Sequence, residues 1–191
     1  MGAEAPGEPK FFLKPRSSLL ADKGQVILPE VSSRVDYEVE LALIIASRAK
    51  CVSPEKVDSM ILGYTILVDI TARDIQVAAK KQGMPWTISK GYDTFSPIGP
   101  RVVSARDLDP SNLDIWLKVN GEIKQKGNTN LMIFPVRKLV SYISCIMTLE
   151  PMDIIATGTP SGVGPMQAGD LIEAGIENIG TLTFTAVRKN C

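Results

Sequence analysis

The chain has 191 residues, with 21 lysines and arginines against 21 aspartates and glutamates, and no histidine. At 45% apolar and 22% charged residues it has the composition of a globular protein long enough to bury one core. The missing histidine excludes a Ser-His-Asp or Cys-His pair, a His-ligated zinc and an imidazole base within these residues, and a net charge of zero with no basic block argues against nucleic-acid binding.

The longest aliphatic stretch, Leu41 to Ala46, falls far short of the roughly 18 residues of a membrane helix, and no basic-then-apolar N-terminus predicts a signal peptide. Cys51, Cys145 and Cys191 lack CxxC spacing and fit a reducing, cytoplasmic setting.

In chain order, residues 1–10 read as a loop or loosely held start and residues 11–191 as a single domain. Phe11-Phe12-Leu13 opens the first apolar segment, closed by Lys14-Pro15, and Gln25 to Pro29 is a short strand. Tyr37, Val39 and Leu41 alternate with Asp36, Glu38 and Glu40, which predicts a strand with one acidic face. Beyond it, Leu41 to Ala46 is apolar on both faces, so the strand is expected to run from a polar pocket or surface into a core. Ser53-Pro54-Glu55 predicts a helix start. Tyr64 to Ile70 reads as a buried strand with Asp69 near its end, and Thr71-Ala72-Arg73-Asp74 has the spacing of a capping box. The helix so begun should end near Lys80-Lys81, with Gly83 just past it.

Ile115, Leu117 and Val119 alternate up to Asn120-Gly121, the strongest hairpin signal in the chain. Pro135 opens a helix whose apolar residues Val136, Leu139, Val140, Ile143, Ile146 and Met147 keep the 3.6-residue period. Strands at 153–156, 171–174 and 181–187, separated by glycine-rich turns, complete a β-rich α+β class.

Chemistry can be carried at few places. On one strand face Glu38 and Glu40 would lie roughly 7 Å apart or closer. Two carboxylates so placed repel unless a cation lies between them, although the plainer reading of the pair alone is a solvated strand face. Asp69, at a strand end, could complete a three-acid set or simply hydrogen-bond the next turn. Carboxylates without His or Cys suit a hard cation, Mg²⁺ or Mn²⁺, over zinc. The segment Thr157 to Gly164 lacks the lysine of a P-loop and the spacing of a dinucleotide fingerprint. It reads as a tight turn bringing hydroxyls and amides near something small, or as a plain connection between strands.

Taken together, Phe11-Phe12-Leu13-Lys14-Pro15, Asp36 to Leu41, Leu67 to Asp74, Ser89-Lys90, Thr157-Gly158-Thr159-Pro160 and Gly162-Val163-Gly164 resemble, in order, the segments of the fumarylacetoacetate hydrolase family. The resemblance implies that family's C-terminal-domain-like mixed β-roll with a few short helices. It also implies a homodimer and a divalent metal, Mg²⁺ or Mn²⁺, held by Glu38, Glu40 and Asp69. It assigns Lys90 as the cationic group beside the substrate, with Arg73, Gln76 and Thr159 as further substrate contacts. The implied substrate is a small keto acid or diacid, undergoing acylpyruvate hydrolysis, oxaloacetate decarboxylation or keto-enol isomerisation.

Three carboxylates, a divalent cation and an α-keto carboxylate sum to −2, an excess that calls for cations; Lys90 is the assigned one and Arg73 a second. Family members generally begin several dozen residues earlier, with a segment supplying a His and a Glu. The first residues here resemble the stretch just after it, which weighs against hydrolysis more than against metal binding and leaves a catalytically silent keto-acid-binding protein as the alternative. It also implies an exposed apolar edge including Phe11 and Phe12.

Overall fold

A computed structural model describes residues 7–188; Cys191 and the first six residues of the expected loose start lie outside them. The described chain forms, in order, β1 (Leu19–Ala21), β2 (Gln25–Ile27), β3 (Val35–Tyr37), β4 (Val39–Ile45), β5 (Ile61–Val68), β6 (Thr71–Ala72), α1 (Arg73–Gln82), α2 (Thr87–Lys90) and β7 (Ser96–Ser104). There follow β8 (Asp114–Val119), β9 (Glu122–Asn128), α3 (Val136–Ile146), β10 (Ile154–Ala156), β11 (Gly164–Met166), β12 (Leu171–Ile176) and β13 (Gly180–Val187). Two five-stranded sheets, β1-β7-β5-β4-β10 and β2-β13-β12-β8-β9, are accompanied by a small sheet, β11-β3-β6. The large sheets meet through β13 against β7, β8 against β4 and β12 against β5, enclosing one apolar core. No helix among the described residues is long and apolar enough to cross a membrane.

The acidic strand runs into the core as its pattern predicts. Every residue of β4 is buried, because β5 and β10 flank it in its sheet and both faces are covered. Leu41, Leu43 and Ile45 are wholly out of solvent, each worth roughly 1.5–3 kcal/mol of burial. Register pairs Val39 with Val68 and Glu40 with Leu67, which delivers Asp69, one residue past β5, to the acidic end of β4.

Asn120 and Gly121 take the two positive φ values, 50° and 81°, of the expected hairpin turn between β8 and β9. α1 ends as expected with Gly83 left-handed at φ 66°, and α3 begins straight after Pro135.

Some local expectations fail for identifiable reasons. No capping box forms: the Thr71 hydroxyl is spent on the Asp69 carbonyl at 3.2 Å. Asp74 instead accepts from the Ser32 hydroxyl (2.7 Å), the Ser33 N–H and hydroxyl (2.7 and 2.8 Å) and the Ile75 N–H (2.9 Å). Burial works to raise the Asp74 carboxyl, but these bonds outweigh it and hold it at about 2. Ser53-Pro54 starts a 3₁₀ turn over Pro54–Met60, not an α-helix; only Val57 in it is buried, so no apolar stripe supports a longer helix. β7 carries Pro97 and Pro100, residues that normally demote a strand, yet it pairs with both β1 and β5. Phe12 is half-buried rather than exposed, its ring 5.6 Å from Trp86, while Phe11 is exposed as expected.

Candidate active site

Glu38 sits between β3 and β4, Glu40 on β4 and Asp69 just past β5, and all three are buried. One carboxylate oxygen from each lies within 4.8 Å of the others. Their convergence follows from the β4–β5 register and from the Asp69 N–H, which donates to the Glu38 carbonyl at 2.8 Å.

Around them the charges alternate along a chain. The Lys14 ammonium donates to Asp69 Oδ1 at 2.6 Å, and Lys90 bridges Asp69 Oδ2 and Glu38 Oε2, the latter at 2.8 Å. Arg73, the first residue of α1, joins Glu38 Oε1 to Asp36 Oδ2 (2.8 Å), and Arg34 closes on Asp36 Oδ1 at 2.9 Å. With Glu40 ionised, four cations therefore face four carboxylates. Lys90, one lysine among many in the sequence, is 2% exposed and lies 4.9 Å from the centre of the Phe12 ring, which covers it. Burial pulls Lys14 below its ordinary value even with Asp69 beside it.

Glu40 is the acid without a cationic hydrogen-bond partner. Its Oε2 accepts from the Gly158 N–H at 2.7 Å. Burial first, and then the nearby Asp69, push its carboxyl from 4.5 up to about 8. A buried, hydrogen-bonded carboxyl held protonated beside two more carboxylates, all with oxygen donors and spare lone pairs, fits a divalent cation that prefers oxygen.

Glu40, Asp69, Lys14, Phe12, Gly158 and Thr159 line a cleft of about 1360 Å³. Glu38, Lys90 and Arg73 are not part of its wall and connect to it through Asp69, which Lys90 ties to Glu38 and so to Arg73. Gln76 joins through the arginine, accepting from Arg73 Nη1 at 2.7 Å, and is not part of the cleft wall.

The segment 157–164 leaves β4, where the Thr157 N–H and hydroxyl donate to the Leu41 carbonyl at 3.0 and 2.8 Å, crosses β9 between Thr159 and Gly162, and ends at Gly164 in β11. Gly162 has φ 98°, and a Cβ there would fall 2.1 Å from the Lys124 carbonyl oxygen, a closeness and a conformation only glycine allows.

The sequence assigns Lys14, Asp36 and Gln125 no role at the site. Lys14 only closes the first apolar segment, and Asp36 is only one of three alternating acids. Gln125 carries no local signal beyond its place in a hairpin strand.

The family model for the fumarylacetoacetate hydrolase C-terminal domain matches residues 2–187. An uncharacterised protein of Pyrococcus abyssi is 62% identical over 190 residues, covering all of this chain and 84% of its own length. A mitochondrial oxaloacetate decarboxylase of Dictyostelium discoideum is 48% identical, covering 95% of this chain and 84% of the relative. A mitochondrial oxaloacetate tautomerase of Arabidopsis thaliana is 47% identical, covering 99% and 85%.

Among solved structures, 2-hydroxyhepta-2,4-diene-1,7-dioate isomerase from Mycobacterium marinum superposes with a TM-score of 0.91 at 45% identity, over 97% of this chain and 71% of that one. Fumarylpyruvate hydrolase from Pseudomonas aeruginosa, in complex with Mn²⁺ and pyruvate, gives 0.91 at 32% identity, over 96% and 81%. Fold, matched length and the converging acids agree, and this chain is an enzyme belonging to the fumarylacetoacetate hydrolase family.

Proposed function

We propose that Glu38, Glu40 and Asp69 hold a divalent cation, Mg²⁺ or Mn²⁺, and that the protein carries out enolate-forming chemistry on a small keto dicarboxylate, decarboxylating oxaloacetate or interconverting its tautomers. The observation that carries this reading is the set of three buried carboxylates within 4.8 Å, one of them pushed up to about 8. The relatives named for oxaloacetate chemistry and the Mn²⁺ and pyruvate complex of a structural neighbour support it.

A bound divalent cation supplies Lewis acidity at a keto oxygen, where negative charge develops in both reactions. The chain's own residues set the charge balance around that oxygen. Lys14, Lys90, Arg73 and Arg34 offset Asp69, Glu38, Asp36 and an ionised Glu40, so a divalent cation arriving with a dicarboxylate dianion leaves the balance unchanged. This removes the −2 excess counted for the three acids with a divalent cation and an α-keto carboxylate, with Lys14 and the Arg34–Asp36 pair completing the set. The Gly158 N–H fixes one oxygen of Glu40, Gln76 steadies the Arg73 guanidinium, and the Thr159 hydroxyl reaches the ligand from the cleft wall. Exposed Leu13, Leu19, Leu131, Ile133 and Met152 around the same cleft support a homodimer.

The test follows oxaloacetate by proton NMR with Mg²⁺, comparing the protein, Glu40→Gln and Asp69→Asn with cation alone. The proposal expects the parent to accelerate pyruvate formation or C3 proton exchange and both variants to lose that acceleration. A parent no faster than free cation refutes it.

A further inference from the structure

Gln125, on β9 of the second large sheet, is 0% exposed. Its amide makes three hydrogen bonds. Oε1 accepts from the Val39 N–H at 3.0 Å, while Nε2 donates to Thr159 Oγ1 at 2.8 Å and to the Pro160 carbonyl at 3.0 Å. The orientation of the amide is fixed twice over, because a backbone N–H can only donate and a backbone carbonyl can only accept. The bond to Thr159 therefore has one polarity: the hydroxyl oxygen accepts, and its hydrogen must go elsewhere. Among the described residues that hydrogen has no acceptor, and Thr159 lines the cleft beside Glu40 and Asp69.

We infer that Gln125 is a positioning residue that sets the polarity of the Thr159 hydroxyl, making it an obligate hydrogen-bond donor to the ligand and so selecting for a carboxylate or enolate oxygen at that place. The inference rests on the proposed role of Thr159 as a ligand contact. A hydroxyl free to rotate could accept from a ligand donor as readily as it gives to an acceptor. One held by Gln125 can only give. Discrimination of this kind arises because the mismatched ligand would leave a desolvated polar group without a partner.

The same amide anchors the N–H of Val39, between Glu38 and Glu40 in sequence. A purely structural Gln125 would therefore act on the acids and on metal affinity, not on the ligand. The two roles separate in a double-mutant cycle on the whole chain, with calorimetry reading Mn²⁺ affinity and then oxalate affinity of the Mn²⁺-loaded protein. The variants are Gln125→Glu, Thr159→Val and their combination. Gln125→Glu keeps an acceptor for Val39 but cannot donate to both Thr159 and Pro160. Gln125→Met, uncharged and similar in volume, removes the donors to Thr159 and Pro160 together with the acceptor for Val39; should the buried carboxylate unfold the chain, the oxalate affinity of the Mn²⁺-loaded Gln125→Met protein, alone and combined with Thr159→Val, is the readout.

Each single variant is expected to weaken oxalate about tenfold or more, the scale of a hydrogen bond to a charged acceptor. The double variant should be no weaker than Thr159→Val, and Mn²⁺ affinity should hold throughout. Losses that multiply in the double variant overturn the inference, since Gln125 would then act independently of Thr159. An unchanged oxalate affinity in Gln125→Glu, or a loss of Mn²⁺ affinity with it, also overturns it while leaving the Thr159 contact standing. Unchanged oxalate affinity in Thr159→Val overturns both the inference and that contact.

Discussion

Replacing Glu40 by glutamine should stabilise the metal-free protein, although it removes a proposed metal ligand. The Glu40 carboxyl titrates at about 8 in the native state against 4.5 ordinarily, chiefly because burial penalises its charged form. The unfolded chain loses this proton near pH 4.5 and the native state holds it to about pH 8. Across that window the native state binds more protons, so raising the pH favours unfolding. The stability associated with the raised value is fully present below 4.5 and lost by the time the pH passes 8. At about 1.36 kcal/mol per pH unit this amounts to roughly 3 kcal/mol at pH 7 and roughly 5 kcal/mol at pH 9.

Glutamine is nearly isosteric, cannot ionise and keeps a carbonyl for the Gly158 N–H. Urea unfolding in EDTA, followed by the fluorescence of Trp86 and Trp116, should show Glu40→Gln more stable than the parent by these amounts, with the gap closing toward pH 5. Saturating Mn²⁺ at pH 7 should narrow or reverse the order, because a hundredfold excess over Kd adds about 2.7 kcal/mol to a protein that binds it. A parent–variant difference that stays constant from pH 5 to 9 would refute the reasoning.

Two other substitutions probe the surroundings of the acids. Lys90→Met leaves Glu38 and Asp69 each short of a buried partner. The metal-free protein should lose about 3–5 kcal/mol, a loss Mn²⁺ largely restores while oxalate affinity falls; a melting temperature in EDTA equal to the parent's would contradict this. Gly162→Ala places a methyl group against the Lys124 carbonyl at a left-handed φ. It should cost at least about 1–3 kcal/mol, lowering the melting temperature by several degrees with Mn²⁺ affinity kept, and an unshifted melt would show that Gly162 does not press against the β9 backbone as described.

The elements read correctly are those whose cause is short-ranged. Asn120-Gly121 fixes a hairpin because two adjacent residues tolerate positive φ, and Val136 to Met147 fixes a helix because its apolar spacing is carried within two or three turns. Ser53-Pro54-Glu55 and Thr71 to Asp74 carry equally local signals that failed. In the first, too little apolar surface follows the start. In the second, Ser32 and Ser33, about forty positions away, hold the acid that would have closed the box. β7, with its two prolines, is a strand through the partners on either side of it.

By itself the sequence determined what chemistry was open to the chain: no imidazole, alternating acids suited to a hard cation, and ordered segments resembling one enzyme family. Only the tertiary structure decided which of those groups meet. Asp69 reaches Lys14 across 55 positions, and Val39 reaches Gln125 across 86. Local propensity acts over a few residues, whereas strand register and the packing of two sheets bring such groups together. Burial then gives Lys90 its partners, raises Glu40 and gives Gln125 a single orientation, because a polar group removed from water must find its partners within the protein.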